Sequence, residues 1–535
     1  MEHVLDYIMD DEITTLLIDR AIAYIDEKGA VCCYDVEDEA VREIVLALQN
    51  SEVAFGGQYY GIRPAVIEVD QASVEEKLAM LRSKTQGSGQ VRKIDASAAA
   101  QKLQRLLQAA LAQGASDIHI INVLGERTEI NVRIDGDFKT LRDQDASYGE
   151  EIVTYAVMNL GEGRDYSITG YADATFNVRL TETKRVGNKE RTVERETSWR
   201  LAQIPVTKGS KVTIRNIDGG GGKVPNLNEL GLGVGHIDVI NGLFTTGQGA
   251  VIMSGPTGSG KTTLINAALQ LVPPTRFIHA LEDPPEWHMK NRNAVQTKVD
   301  ESLVDSEGNK PRGFFANSVR LLRHDTDVVF FGEIREASSA KQFMRMSETG
   351  QLCVGTLHTN SAASSISTLV EQMSVSSAQL SSPGVLRALA HQRLVKKLCD
   401  KCSFSYEEAL EKAPKIYSIK QSLENIEKLG IPADKTRFRN PEGCAHCGGE
   451  GELSRTAIFE VIVVDGAVRT YIRKMDLNGL LEHIKGLGWP SIREHAISKV
   501  QLGVIDVAEA VKKVDELIPI ELENIYKDML GVPNA

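Results

Sequence analysis

No run in this sequence approaches the ~18 consecutive apolar residues that a membrane-spanning helix needs. No basic leader is present either, because the chain begins MEHVLDYIMDDE, which is acidic rather than signal-like. These absences predict a protein made in the cytosol and kept there, docked to something rather than inserted. The chain also lacks an excess of positive charge. Its 61 Lys and Arg against 73 Asp and Glu leave a net charge of −12. Generic binding to a phosphate backbone requires a basic surface, so no direct nucleic-acid partner is expected. Cysteine is sparse, with seven in 535 residues. Cys32, Cys33 and Cys353 have no spaced partner and read as core.

What is present is an ordinary globular composition, 42% hydrophobic and 25% charged, in a chain long enough for several domains. The stretch SGPTGSGKTT, residues 254–263, joins an apolar strand, AVIM, to a helix, LINAALQLV. Gly255, Gly260, Lys261 and Thr262 meet the pattern G-x-x-x-x-G-K-[ST] in full. The loop residues Gly255, Pro256, Thr257, Gly258, Ser259, Gly260, Lys261, Thr262 and Thr263 are therefore the expected nucleotide cradle. Glycines let backbone N–H groups turn toward phosphates, the helix N-terminus adds its dipole, Lys261 reaches the β/γ-phosphates and Thr262 is placed to hold Mg²⁺.

Three further strands end in polar groups. DTDVVFFGEIRE, 325–336, ends in Glu333, the first candidate to polarise an attacking water, with Arg335 two residues on. RFIHALEDPPEW, 276–287, ends in Glu282 and Asp283. TGQLCVGTLHTNSA, 349–362, ends in Thr356, His358, Thr359 and Asn360. In a parallel α/β sheet the C-terminal ends of strands gather at the ligand crevice, which would bring these groups together.

Two C-x-x-C knuckles, LCDKC at 398–402 and GCAHC at 443–447, supply Cys399, Cys402, Cys444 and Cys447. Four thiolates suit tetrahedral Zn²⁺ and leave no open position for water, so a structural site is expected, with His446 as an alternative ligand.

These boxes, in this order, resemble those of the secretion-superfamily ATPases, the motors of type II secretion and type IV pilus biogenesis. SGPTGSGKTT is similar to their Walker A box, LEDPPEW to their Asp box, LLRHDTDVVFFGEIRE to their Walker B box and TGQLCVGTLHTNSA to their His box. The resemblance reaches back to GASDIHI…VRIDG, 114–136, and forward to RTAIFEVI, 455–462. It implies an α/β fold: a RecA-like P-loop core, a preceding PAS-like α+β domain, a small N-terminal domain and a helical C-terminal region with a zinc insertion. It implies Glu333 as catalytic glutamate, Glu282 as the acid arranging metal and water, and His358 beside the nucleotide. Arg200 in SWRLAQIP and Arg215 in KVTIRNI resemble arginines that the N-terminal domain brings to the γ-phosphate. There are two departures from the family pattern: Gln351 stands where the His box usually opens on histidine, so no role is expected for a histidine there, and Ile121 replaces an acid, which suggests a divergent branch of the type IVb or bundle-forming/thin-pilus kind.

The expected organisation is an N-terminal docking or regulatory domain at 1–81, a linker at 82–94, a second N-terminal domain at 95–216 and a Gly-rich linker at 217–230. A RecA-like core follows at 231–382, a region with the zinc insertion at 383–480 and terminal helices at 481–535. Leu5, Ile8, Ile13, Leu16, Leu17, Ala21 and Ile25 are expected on one helical face, serving either a small core or a docking helix. Residues 181–196 read as an extended hairpin or loop. After about 383 the chain reads as mainly helical, with a basic helix at 387–401 that faces solvent, a platform protein or anionic lipid.

The expected function is a homo-hexameric ATPase using ATP, Mg²⁺ and Zn²⁺, peripheral to the cytoplasmic face of the inner membrane. It would drive type IV pilus assembly through a polytopic inner-membrane platform protein, since assembly motors of the family commonly carry the tetracysteine insertion and retraction motors lack it. The alternatives are a type II secretion motor, a DNA-transport ATPase and a nucleotide-dependent switch that barely hydrolyses.

Overall fold

The computed structural model describes residues 13–519 except 14–15, 18–19, 27, 52–60, 76, 79–95, 142, 162–165, 187–188, 218–223, 288, 290, 292 and 302–309, together with Leu522, Tyr526 and Met529. The two compact units are residues 1–99 and 100–535. The predicted linker at 82–94, Leu5 and Ile8 of the first helix, and residues 218–223 of the Gly-rich linker, its four consecutive glycines included, lie outside the described residues.

In the first unit, β1 (Ala23–Ile25), β2 (Val31–Cys33) and β3 (Val66–Glu68) form a three-stranded sheet in that order. Helix α1 (Glu39–Asn50) is capped by the Asp38 carboxylate, which accepts from Ala40 N–H. Its buried residues Val41, Ile44, Val45 and Leu48 share a core with Ile13 and Leu17. The helical face predicted from Leu5 to Ile25 is too long. Ala21 takes a positive φ of 54° and Ile25 lies in β1, because the chain turns there to enter the sheet.

Most of α2 (Ala96–Ala112) belongs to the second unit, where its apolar stripe Leu103, Leu106, Leu107 and Ala110 is buried. Strands β4 (Ala115–Val123), β5 (Arg127–Ile134), β6 (Asp137–Thr140), β7 (Gln144–Asp145), β8 (Ala172–Val186), β9 (Lys189–Val206) and β10 (Gly209–Asn216) form an antiparallel sheet, in the order β6-β5-β4-β10-β9-β8 with β7 on β5. Helix α3 (Ala146–Tyr155) buries Ile152 and Val153 in the same core as Trp199. The charged stretch at 181–196 is part of the β8–β9 hairpin, paired from Ala172–Gln203 out to Val186–Lys189.

A second seven-stranded sheet, mostly parallel, has the order β13-β12-β14-β15-β11-β16-β17. Its strands are β11 (Gly249–Ser254), β12 (Ile278–Glu282), β13 (Ala294–Lys298), β14 (Val328–Phe331), β15 (Leu352–Leu357), β16 (Leu386–Leu398) and β17 (Glu452–Val463). All neighbours are parallel except β16 and β17. Helices α4 (Val234–Thr246), α5 (Lys261–Leu269), α6 (Phe314–Leu321) and α7 (Ala337–Glu348) flank it. Every residue of β11, β14 and β15 is buried, which is what strands covered on both faces require.

The predicted basic helix at 387–401 is instead β16, wedged between β11 and β17. Its Leu, Ala and Arg residues have good helix propensity. Two strand partners and burial on both faces override that preference. The region after 383 is correspondingly mixed rather than mainly helical: two long strands carry α8 (Tyr406–Lys412) and α9 (Tyr417–Lys428) between them. Four helices follow, α10 (Gly466–Lys474), α11 (Leu477–Gly486), α12 (Ile492–Gln501) and α13 (Val507–Lys513). Among the described residues no helix is long and apolar enough to cross a membrane.

Candidate functional site

Strand β11 ends at Ser254 and α5 begins at Lys261, so residues 255–260 form a loop at the sheet's C-terminal edge. Gly260, immediately before α5, sits at φ 82°, ψ 17°, the left-handed region that side chains avoid. That turn leaves the first amides of a nine-residue helix unbonded within the helix and facing the loop. Lys261 Nζ donates to the carbonyls of Gly255 at 2.8 Å and Pro256 at 3.0 Å. Burial lowers its pKa to about 8 against the opposing charges of Glu333 and Glu286.

Glu333 follows β14 and is clamped from two sides. Arg335 Nη2 lies 2.7 Å from Oε2, and His358 Nε2, just past β15, lies 3.3 Å from Oε1. Burial alone would raise the Glu333 carboxyl. The His358 and Arg335 hydrogen bonds and charges outweigh it and hold the pKa at about 2. Arg335 also stands 4.0 Å from Asp283.

Glu282, the last residue of β12, is 2% exposed and accepts from Gln296 Nε2 at 2.8 Å. Its burial dominates and raises its pKa to about 7, with the Gln296 bond opposing. Two strand-end carboxylates of the same crevice are thus tuned in opposite directions, one kept ionised and one poised near neutrality.

The reading from sequence passed over Glu286. Its side chain bonds Thr262 and feels the charges of Arg215 and Lys261, while desolvation in the cleft pushes its pKa up. The available signal was its position: an acid immediately after the rigid Pro284-Pro285 pair that turns the chain back from β12. Arg215 and Arg200 are directly opposed on β10 and β9. Arg215 Nε donates to Asp117 Oδ1 at 2.6 Å, and Arg200 is exposed. Gln351 lies at the opposite end of β15 from His358, where its amide donates to Thr326 O at 2.9 Å.

The four knuckle cysteines meet at the end of β16 and the start of β17. Their Sγ atoms all lie within 4.8 Å of one another. Cys399–Cys444 and Cys444–Cys447 are 3.9 Å apart, and Cys402–Cys447 3.8 Å. A tetrahedral zinc with Zn–S bonds of about 2.3 Å has sulfur–sulfur edges of about 3.8 Å, so the set fits that ion. Backbone N–H groups of Cys444 and Gly451 donate to Cys447 Sγ at 3.2 and 3.1 Å, as a thiolate would require. His446 stands apart from the cluster, 3.5 Å from Asp400.

A phosphate-binding loop, a clamped glutamate on the next-but-one strand and a tetracysteine cluster coincide with a family match over residues 93–512, described as "Type II/IV secretion system protein". The chain belongs to this family. It is 31% identical over 423 residues to the type II secretion system protein E of Pseudomonas aeruginosa, covering 77% of this chain and 75% of that protein. It is 26% identical over 429 residues to the type IV pilus assembly ATPase PilB of Thermus thermophilus, covering 79% of this chain and 44% of that protein. Among solved structures, the Yersinia pseudotuberculosis ATPase DotB superposes with a TM-score of 0.53 at 16% identity, over 77% of this chain and 93% of that one. That likeness is one of fold. Relatives in the type II/IV secretion family thus carry names from both secretion and pilus assembly.

Proposed function

We propose that this chain is a hexameric ATP-hydrolysing motor that drives extension of a pilin filament, working as a type IV pilus assembly ATPase on a polytopic inner-membrane platform protein. The observation that carries the hydrolytic reading is the Glu333 clamp: a carboxylate held ionised by His358 and Arg335 beside a complete phosphate-binding loop. In this reading the mostly parallel sheet is a RecA-like core and residues 95–216 a PAS-like domain. Loop amides and Lys261 bind the ATP phosphates. Glu333 orients and polarises the attacking water, and His358 and Arg335 keep its carboxylate aimed. Thr262, Glu286 and Glu282 offer the hard oxygen donors that Mg²⁺ prefers, and the ion would neutralise phosphate charge. Arg215, with Arg200 beside it, approaches from the smaller domain to add positive charge at the γ-phosphate. The cysteine cluster would hold a structural zinc. The protein would act at the cytoplasmic face of the inner membrane without direct contact to nucleic acid.

A type II secretion motor is the second reading, favoured by the 31% identity to a protein of that name. The test is electron microscopy of the native cell surface with Glu333→Gln as the only copy. Loss of surface filaments supports the pilus motor. Filaments that persist while secreted proteins accumulate in the cell would support the secretion motor instead.

A further inference from the structure

A phosphate-binding loop works only while its N–H groups face inward, which turns its carbonyls outward onto whatever lies behind. Behind this loop lies β16. The Gln392 amide Nε2 donates to the Ser259 carbonyl at 2.6 Å. A Cβ on Gly260 would come within 2.9 Å of that same Nε2, and one on Gly255 within 2.3 Å of the Gln392 backbone carbonyl. Loop and strand are thus in contact at both ends. Gln392 is 3% exposed, and its Oε1 is buried with no hydrogen-bond partner among the described residues. A half-satisfied buried amide is costly, and an apolar side chain such as the Leu and Ala residues of the same strand would fill the space without that cost.

The neighbouring residues keep the loop's floor fixed and uncharged. His391 Nδ1 meets Ser254 Oγ at 3.0 Å, and burial lowers the imidazole to about 3, so it is neutral there. Arg393 Nη2 is tied to Asp515 at 3.1 Å, and the strand runs on to Cys399.

We infer that Gln392 is a positioning residue for the nucleotide cradle: by holding the Ser259 carbonyl outward it keeps the loop amides aimed at the phosphates, and so sets nucleotide affinity. The inference rests on the nucleotide-binding reading above. Lys261 donates to the carbonyls of Gly255 and Pro256. Once Lys261 turns to the phosphates, as the motif requires, Gln392 is the side chain left holding a loop carbonyl.

The experiment is equilibrium titration of the full chain with ATP and Mg²⁺ in a Glu333→Gln background, plus KM and kcat in the active background. Gln392→Leu removes the donor and strands a buried carbonyl, so Kd and KM rise about five- to hundredfold, with kcat changed far less. Gln392→Glu keeps the shape but must be protonated to donate, so its ATP affinity falls as pH rises, which a packing role would not produce. Unchanged affinity in both variants overturns the inference. So does weaker binding that is independent of pH in Gln392→Glu and accompanied by a lowered melting temperature of the empty protein. If the Glu333→Gln parent itself binds no ATP, the nucleotide-binding reading fails, and Gln392 loses its role with it.

Discussion

Glu333 and His358 lie at the ends of adjacent parallel strands, with His358 Nε2 3.3 Å from Glu333 Oε1. One clamps the other across the crevice where the phosphate loop opens. With Arg335 on the second oxygen, the carboxylate has a single orientation and stays ionised down to about pH 2.

Glu333→Gln removes the water-polarising carboxylate and keeps the loop, so ATP binding stays within a few fold of the parent while kcat falls about 100-fold or more. Steady-state hydrolysis near the parent rate in the purified variant would remove Glu333 from the role. Arg335→Met is the finer test. It takes away one of the two groups that lower the Glu333 pKa, so the acid limb of kcat moves to higher pH. A limb that does not move would mean that Arg335 is not the clamp.

Glu282 should show the opposite sign. Its folded pKa is raised to about 7 from an ordinary 4.5, so between those values the folded state holds a proton that the unfolded chain has released. Stability therefore falls as pH rises through that window and is level above it. Glu282→Gln cannot titrate and lacks this slope. The stability difference between variant and parent should shift toward the variant by on the order of 2 kcal/mol from pH 5 to pH 8. Denaturant titrations at the two pH values, without nucleotide, measure it. Parallel pH dependences would show that Glu282 is not the buried titrating group.

The knuckles give a prediction with a metal readout. Replacing Cys399 and Cys402 by Ser removes two of four thiolates, so the purified chain should lose about one zinc. Elemental analysis decides it, and full zinc content in the double variant would sink the assignment. Chelation of the parent should lower its melting temperature, because the cluster ties the end of β16 to the start of β17, where Cys399 N–H donates to Gly451 O at 3.0 Å.

The parts of this molecule that the sequence made legible are those where one local pattern has one structural meaning. The phosphate loop needs a strand before it and a helix after it, and β11 and α5 are there. Val328–Phe331 and Leu352–Leu357 are short apolar runs ending in polar groups, and both are buried strands ending in the crevice. The same logic failed for β16. A strand buried on both faces has no period of two, and LRALAHQRLVKKL has the composition of a helix. Missing the strand hid Gln392, whose neighbour Ser259 is 133 residues away in sequence. Glu286 was hidden because only the folded turn after Pro285 brings it to Thr262.

The last relationship spans the two sheets of the larger unit. The β5–β6 turn reaches the C-terminal region by ion pairs: Arg455–Asp135 at 3.2 Å, Lys139–Glu450 at 2.6 Å, and Lys396 with Asp137. Lys396 is the centre of this group. Its side chain is 15% exposed, and it also lies 3.6 Å from Glu452, which is 10% exposed. Removing this buried cation leaves Glu452 with only Arg439, at 3.5 Å, and Asp137 with only Lys512, at 3.8 Å, at a cost of about 2 kcal/mol, whereas an exposed pair is worth under about 1 kcal/mol. Lys396→Met should therefore destabilise the protein clearly and speed amide exchange in residues 127–140, with Lys139→Met doing much less. Adding Glu452→Gln to Lys396→Met removes the buried charge that Arg439 alone would have to balance and should recover part of the loss, because the penalty lies in the under-compensated buried carboxylate rather than in a missing contact. Hydrogen exchange and denaturant melts on the parent and the three variants measure both effects. Equal costs for Lys396→Met and Lys139→Met, or no recovery in the double variant, would show that Lys396 is an ordinary surface charge and that the β5–β6 turn is held by something else.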